Sequence, residues 1–279
     1  GMPTRGDRPG TGWHGFLGRD RHPRLLDPPG GRLWTANARV LSGEGYRLMG
    51  NQGAALGARQ GQIRDRLRAT ESFDESDMLE LQLDDRALFL ERWRRRLLAV
   101  VEATPAPSPA MLEAAERVRD WSGRADRADV GYRLVRAFRL RTIERVTAPL
   151  ESYLKSRDES FELWHVGRQI EYPVWNLLEA RPAHLLNPDF DDWEALERSA
   201  LEAVLTPLFE DGTLADDTWG EANRLRVRHP LAQALPPVDW WLSMPAEPMN
   251  GDSHMPRVQR PTFAASERFA VSPGREEDA

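Results

Sequence analysis

The stretch GGRLWTANARVL, residues Gly30–Leu41, leads from a glycine- and proline-rich loop into a run with the composition of a strand. Trp34 and Val40 favour extended structure, whereas Asn37 stands where an apolar or β-branched residue would fit better. Taken by itself, an Asn in such a run is interpreted as a turn cap, because its side chain can hydrogen-bond to nearby backbone groups.

The composition of the whole chain is that of an ordinary globular protein. The chain has 279 residues, 40% hydrophobic and 29% charged, with a net charge of −6 and no cysteine. It can form no disulfide or thiolate metal site, and nothing suggests a nucleic-acid binder, which would carry a basic face. The longest apolar run, Leu97–Val101, is far shorter than the roughly 20 residues of a membrane span. The first residues contain no apolar segment of the kind found in a signal peptide.

The pattern of the chain divides it into a first loop and strand segment, a helical block and a final β and loop segment. These occupy residues 1–53, 54–212 and 213–279. Strands are expected at 32–41 and 45–49, and helices at about 54–69, 85–103, 109–121, 129–154 with a kink or break at Pro149, and 193–211. After residue 218 the pattern indicates strands and loops with no helix of useful length. We expect residues 32–49 and 218–270 to share one sheet, whose other strands lie elsewhere.

Several kinds of catalytic site find no support in the sequence. There is no G-x-S-x-G elbow, no P-loop and no pair of histidines at i,i+4, although a histidine ligand set drawn from distant positions stays open. Asp84–Asp85 and Asp191–Asp192 are interpreted as charges at helix starts. Most of the tryptophans are interpreted as core and interface anchors; Trp240–Trp241 could instead line an apolar acyl pocket.

An ordered series of motifs carries a resemblance to a known family. The stretches are WHGFL at Trp13–Leu17, PRLLDPPGGRLWTANARV at Pro23–Val40, LGARQGQIRDRL at Leu56–Leu67, SDMLELQLDDRALFL at Ser76–Leu90, GYRLVRAFR at Gly131–Arg139, TWGEANRLRVRHPL at Thr218–Leu231, and GD…PRVQ…ASERF from Gly251 to Phe269. Together they resemble the β-chain region of the penicillin acylase (penicillin amidase) family of N-terminal-nucleophile hydrolases. The resemblance implies an α/β (α+β) fold, part of an αββα sandwich with a large helical block between two β and loop segments. It also implies an amidohydrolase that cleaves a linear N-acyl amide through an acyl-enzyme intermediate.

The resemblance assigns a role to two residues. Asn37, in TANAR, matches the first Asn of a TANNR-type motif, whose side-chain N–H completes the oxyanion hole. Arg59, in GARQGQI, matches an arginine near the nucleophile, where it would orient Asn37 and substrate. Without the resemblance, Asn37 would be interpreted as a turn cap and Arg59 as a solvated residue at a helix start. Ala38 and Ala264 depart from the family pattern, in place of a second Asn and a frequent Gly.

The N-terminal serine nucleophile of the family has no counterpart in this sequence. We therefore expect an internal β-chain fragment, inactive alone, whose partners are the α-chain, the nucleophile-bearing β-chain segment and a small N-acylated amide substrate. The resemblance implies a periplasmic location. No cofactor is expected in this chain, because the structural calcium site of the family cannot be placed on any of its residues. The alternative from another class is a non-catalytic helical interaction module derived from an acylase.

Overall fold

The structure is a computed structural model that describes residues 6–7, 15–50, 53–163, 167–235, 237, 239–262, 264–265 and 268–272. Within these residues the elements are α1 Gly43–Met49, α2 Ala58–Ala69, α3 Glu75–Gln82, α4 Glu91–Ala103, α5 Pro109–Arg119, α6 Val130–Lys155, α7 Glu171–Ala180, α8 Trp193–Leu208, α9 Trp219–Ala222, α10 Pro230–Ala234, α11 Asp239–Leu242, β1 Gln259–Arg260 and β2 Ala264–Ala265. Short 3-10 turns lie at Leu88–Leu90, Gly167–Gln169 and Ala183–Leu185.

Helices α4, α5, α6 and α8 form the main core, as the spacing of their apolar residues predicts. In α4, Trp93, Leu97 and Val101 recur every four residues and are buried. Trp93 meets Phe138 of α6 edge to face, with ring centroids 6.1 Å apart. Burying a large apolar side chain contributes about 1.5–3 kcal/mol, so this face fixes the arrangement of the helices. The predicted helical block is confirmed.

Two details of α4 differ from what its sequence spacing predicts. Leu88 falls near helical spacing with Trp93, Leu97 and Val101, but it lies in the 3-10 turn before α4 and is exposed, because three residues per turn rotate it off that face. The same spacing places the arginines of residues 92–96 on the solvent side. Arg96 instead reaches inward, forms an ion pair with Glu197 of α8 and donates to the carbonyl of Leu178 at 2.8 Å.

Helix starts follow the capping residues that the sequence offers. Ser108 accepts a hydrogen bond from the backbone N–H of Met111 at 3.3 Å, with Pro109 at the first helical position, as predicted. Asp192 caps α8, so its interpretation as a helix-start charge is confirmed. Asp84–Asp85 is not at a helix start. It lies between α3 and the 3-10 turn, and Asp85 is buried and paired with Arg124 at 3.1 Å.

The longest helix, α6, continues through Pro149 to Lys155. A proline inside a helix removes one N–H donor and leaves the carbonyl four residues earlier without its partner. Here that carbonyl belongs to Arg145, and it accepts a hydrogen bond from Nδ2 of the buried Asn187 at 2.8 Å. A side chain outside the helix thus replaces the missing donor, which is why the predicted break does not occur.

The strands expected at the beginning of the chain do not form. In residues 32–41 the described structure has one isolated parallel bridge, between Ala38 and Ala55, and residues 45–49 belong to α1. Asn37 has a φ of 59°, in the left-handed region, so the extended run cannot continue through it. The interpretation of Asn37 as a turn residue, made from the sequence alone, agrees with this conformation.

The last segment also differs from its prediction. It contains the short helices α9, α10 and α11, and its described strands β1 and β2 pair antiparallel with each other. The expected sheet shared by residues 32–49 and 218–270 is therefore wrong for the described residues. The chain has a helix-rich fold of the α/β type with little strand, and the αββα sandwich stays a prediction.

Residues 251–258 form a segment, called here the strap, that crosses the helical block beside residue 37. The backbone N–H of Gly251 donates to Ala125 at 2.8 Å and that of Arg257 donates to Asp84 at 3.0 Å. Trp219 of α9 donates its indole N–H to the carbonyl of Gly251 at 3.0 Å. At its φ of 89°, Gly251 also approaches the backbone of Arg257 so closely that a Cβ would lie 2.3 Å from its oxygen.

Candidate functional site

Asn37 and Arg59, the two residues singled out in the sequence, are in direct contact. Arg59 lies in the first turn of α2 and donates through Nη2 to Oδ1 of Asn37 at 2.6 Å and to the carbonyl of Ala36 at 2.8 Å. The backbone carbonyl of Asn37 accepts from the N–H of Ala55 at 2.8 Å. The turn at residue 37 is thus held by the side chain of Arg59 and by the backbone N–H of Ala55.

This contact fixes which end of the Asn37 carboxamide is available. Arginine has donors and no acceptor, so the oxygen of the carboxamide must face Arg59 and the NH2 group must face away from it. Within the described residues the NH2 group has no hydrogen-bond acceptor. A carboxamide held in this way can donate to an oxygen that develops negative charge beside it.

The contact lies on the wall of a cleft of about 670 Å³. The opposite wall comes from α6 and from the strap. Lining residues include Leu56, Arg139, Arg168, His254, Val258 and Arg260, together with Asn37 and Arg59. A cleft of this size matches the volume of a small-molecule site.

His254 of the strap brings a titratable ring to the cleft. Burial, and then the positive charge of Arg139, lower the pKa of His254 to about 4, although Asp252 and Glu171 act in the opposite direction. The imidazole is therefore neutral at pH 7. It packs on Phe89 with ring centroids 4.9 Å apart, which holds it at the wall of the cleft.

Two buried carboxylates support the cleft from behind. Asp252 of the strap accepts hydrogen bonds from Arg136 and, at 2.7 Å, from the hydroxyl of Tyr132. Burial alone would raise the pKa of Asp252, but Arg136 and Tyr132 hold it below its usual range. Burial and the neighbouring Asp252 raise the pKa of Tyr132 well above 10. These bonds tie the strap to α6 through charges that are paired.

Glu171, at the start of α7, is the second of these carboxylates. It accepts from Arg139 at 2.7 and 2.9 Å, from Arg92 at 2.6 Å and from the indole N–H of Trp93 at 2.7 Å. Burial would raise the pKa of Glu171, and the charge of Arg139 with these hydrogen bonds lowers it. Glu171 is thus shared between Arg139, which reaches the cleft, and Arg92.

The sequence identified some of these residues and missed others. His254, Arg168 and Arg260 were not singled out, although the strap carried a signal through the GD and PRVQ of the resemblance. Trp240 and Trp241 are 84% and 73% exposed, so they are not core residues, and their interpretation as interface anchors stays a prediction; neither is among the residues that line the cleft. The other tryptophans whose side chains are described as buried, Trp93, Trp121, Trp193 and Trp219, are core residues as expected.

Two further features are missing from the described ranges. There, no group of His, Asp and Glu side chains is arranged to hold a metal ion. None of the helices described for this chain combines the length and the apolar character that a membrane crossing requires.

The cleft has a carboxamide donor fixed by arginine on one wall and a neutral histidine on the other. It is therefore a candidate site for a polar, uncharged reaction centre.

Comparisons with known proteins identify the family. Residues 1–279 match the family model described as penicillin amidase, and the chain belongs to that family. It is similar to the penicillin acylase 2 proenzyme of Pseudomonas sp. (strain SE83), with 26% identity over 245 residues, 86% of this chain. The match covers 30% of the length of that relative.

Proposed function

We propose that this chain is part of an acylase-type amidohydrolase, in which Asn37 stabilises the oxyanion and Arg59 holds Asn37 in place. The single observation that carries the proposal is the 2.6 Å contact between Arg59 and Oδ1 of Asn37, which turns the NH2 group of the carboxamide away from Arg59. Membership of the penicillin amidase family supports an amide as the substrate.

The proposed mechanism follows from what a carboxamide can do. A serine hydroxyl, supplied from outside these 279 residues with its own α-amino group as the base, attacks the carbonyl carbon of an N-acyl amide. The carbonyl oxygen becomes an oxyanion and accepts a hydrogen bond from Nδ2 of Asn37. The C–N bond then breaks, the amine leaves with the proton that the base took up, and water releases the acid from the acyl-enzyme.

The surroundings of the chain are part of the same proposal. Strands contributed by the remaining acylase segments would complete an αββα sandwich around the turn at residue 37. Those segments and a small N-acylated amide are the proposed partners, in a periplasmic enzyme. A structural calcium ion, if the assembled enzyme has one, would be held by residues of those segments.

The test uses the assembled acylase with two substitutions at one position. Asn37→Gly removes the carboxamide and keeps a residue suited to the left-handed φ of 59°. Asn37→Ala removes the same group and adds backbone strain of about 1–2 kcal/mol. We expect both to lower kcat by roughly 10²–10³. The melting temperature should fall clearly for Asn37→Ala alone.

A structural role for Asn37 gives a different result. The glycine variant would then keep the kcat of the unmodified enzyme per folded molecule, and only the melting temperatures would change. That outcome would end the oxyanion assignment. It would favour the alternative of a non-catalytic interaction module, for which the exposed Trp240 and Trp241 are the supporting observation.

A further inference from the structure

A second cavity lies on the helical block, away from the cleft beside Asn37. Its volume is about 460 Å³, and its lining residues come from α4, α7, α8 and the turn after α7. It shares no lining residue with the cleft, and none of its residues belongs to the motif series or to the proposed mechanism. A cavity of this volume lies within the range of small-molecule sites, so it is a candidate for a separate ligand.

The lining of this cavity carries an excess of positive charge. Five arginines and three glutamates line it, a net charge of +2 for the residues that the structure describes. Two of the arginines engage all three glutamates. Arg96 pairs with Glu197 and, at 2.8 Å, with Glu179. Arg181 pairs with Glu194. The excess therefore lies on the three remaining arginines.

These three arginines differ in what holds them. Arg92 is fixed, because it donates to Glu171 at 2.6 Å and its guanidinium lies 4.4 Å from the ring centroid of Trp175. Arg95 of α4 is exposed and has a single long ion pair, 3.9 Å, within its own helix. The half-buried Arg198 of α8 has no ion pair or hydrogen bond in the described part of the chain. An anion can therefore take up the donors of Arg95 and Arg198 without breaking a stronger bond.

The floor beside these arginines is apolar. Ala99 and Ala103 follow Arg95 at intervals of four residues, which places them in one row on the surface of α4. Val100 lies beside this row and also lines the cavity. At a rise of 1.5 Å per residue, the row is about 12 Å long. Trp175 of α7 completes the lining, and within the described residues its indole N–H has no acceptor.

We propose that this cavity is a second binding site, which takes a free amphipathic anion, an alkyl chain that ends in an anionic head group. The head group accepts hydrogen bonds from Arg95 and Arg198. The alkyl chain covers the apolar row of α4, which is otherwise in water. A neutral chain would leave the two arginines unpaired, and a small anion would leave the apolar row uncovered, so the site requires both parts of the ligand. The inference goes beyond the proposed function and does not depend on it.

The experiment titrates the 279-residue chain with three matched probes and follows the indole N–H signals by NMR. The probes are hexanesulfonate, its neutral analogue hexanesulfonamide, and methanesulfonate, which keeps the charge and removes the chain. Trp175→Phe identifies the signal of Trp175 by its disappearance. We expect hexanesulfonate to shift that signal saturably and to bind roughly threefold to tenfold more tightly than either other probe. No tryptophan is among the described residues that line the cleft, so this signal reports the second cavity.

Three variants locate the head group. Arg95→Gln and Arg198→Gln should each weaken the preference for hexanesulfonate over hexanesulfonamide, and both together should abolish it. Arg119→Gln is the matched control, because Arg119 is an exposed arginine of α5 that does not line the cavity and its loss changes the net charge equally. It should leave the preference unchanged.

The proposal is overturned if hexanesulfonate does not shift the Trp175 signal saturably, if either other probe binds as tightly, or if Arg119→Gln has the effect of Arg198→Gln. The comparison of the three probes uses the unmodified chain, so it does not depend on how well a variant folds. Equal binding of the probes would remove this site and leave the proposed function in place, since the role of Asn37 is tested by kcat in the assembled enzyme.

Discussion

At the residue scale, Asn37 shows what a sequence can and cannot predict. Its identity as the candidate donor and its link to Arg59, 22 positions later, were available from the motif series, and the structure brings the two together. Its backbone conformation agrees with the interpretation as a turn residue and not with the extended run that the composition around it favours. The bonds to Arg59 and Ala55, which hold this turn, join residues distant in sequence.

His254 gives a prediction for the dependence of stability on pH. Its pKa is about 4 in the folded chain, against 6.5 as its ordinary value, so the unfolded chain binds a proton that the folded chain does not. The free energy of unfolding should therefore fall as the pH decreases from about 6.5 to about 4. The contribution of this one ring is on the order of 3 kcal/mol over that window.

The measurement is urea unfolding of the chain at a series of pH values between 7.5 and 4. His254→Gln should flatten the decline, because the glutamine does not titrate. His184→Gln, at an exposed position on a 3-10 turn, should leave it unchanged. Parallel declines in the unmodified chain and in His254→Gln would show that the ring is not kept neutral by its surroundings.

At the scale of the elements, the longer helices were predictable, whereas α3, α7 and the strands were not. Apolar spacing and capping residues are local signals, and they located α4, α5, α6 and α8. The course of α6 beyond Pro149 depends on Asn187, a residue 38 positions away from the proline (187 − 149), so no local pattern could show it. The strand predictions were wrong for the same reason, because the sequence of a strand does not show which residues it will pair with.

Two glycines in helices provide a matched prediction. A Cβ at Gly131, in the first turn of α6, would lie 2.5 Å from the carbonyl oxygen of Arg117 in α5 and 2.7 Å from Cβ of Trp121. Gly131→Ala should therefore push α5 and α6 apart and destabilise the chain by about 1–3 kcal/mol. Gly61, inside α2, has nothing within 4 Å of a Cβ. Gly61→Ala should stabilise the chain by up to about 1 kcal/mol, since alanine is the better helix former.

Both glycine variants are compared by the free energy of unfolding in urea at one pH. Opposite signs are expected. If Gly131→Ala were as stable as the unmodified chain, the close approach of α5 to α6 would not be a requirement of the fold.

At the scale of the whole molecule, the proposal places the nucleophile outside these 279 residues. We expect the purified chain to release no chromophore from phenylacetyl or other acyl anilides. Ser253 is the residue to control for, because its hydroxyl also lies in the wall of the cleft. Turnover by the purified chain that disappears in Ser253→Ala would contradict the proposal and move the nucleophile into this chain.

The family could be recognised from the sequence because its motifs recur in order along the chain, and the match over residues 1–279 confirms it. The arginines that line the cleft could not be recognised in the same way. Arg168 and Arg260 belong to segments far apart in the sequence, and only the fold brings them to one cleft, where Arg168 is bonded to Gly53 and Arg260 to Ser253 of the strap.

The strap is a loop by its backbone, yet it is bonded to the helical block. Gly251 is bonded to Ala125, between α5 and α6, and Asp252 is held by two side chains of α6. Lifting the strap would separate the buried charges of Asp252 and Arg136, which is costly. One wall of the cleft therefore shares the rigidity of the core, and a substrate meets a surface already shaped before it arrives. The conformational entropy of that wall is lost once, during folding, and need not be lost again when a substrate binds.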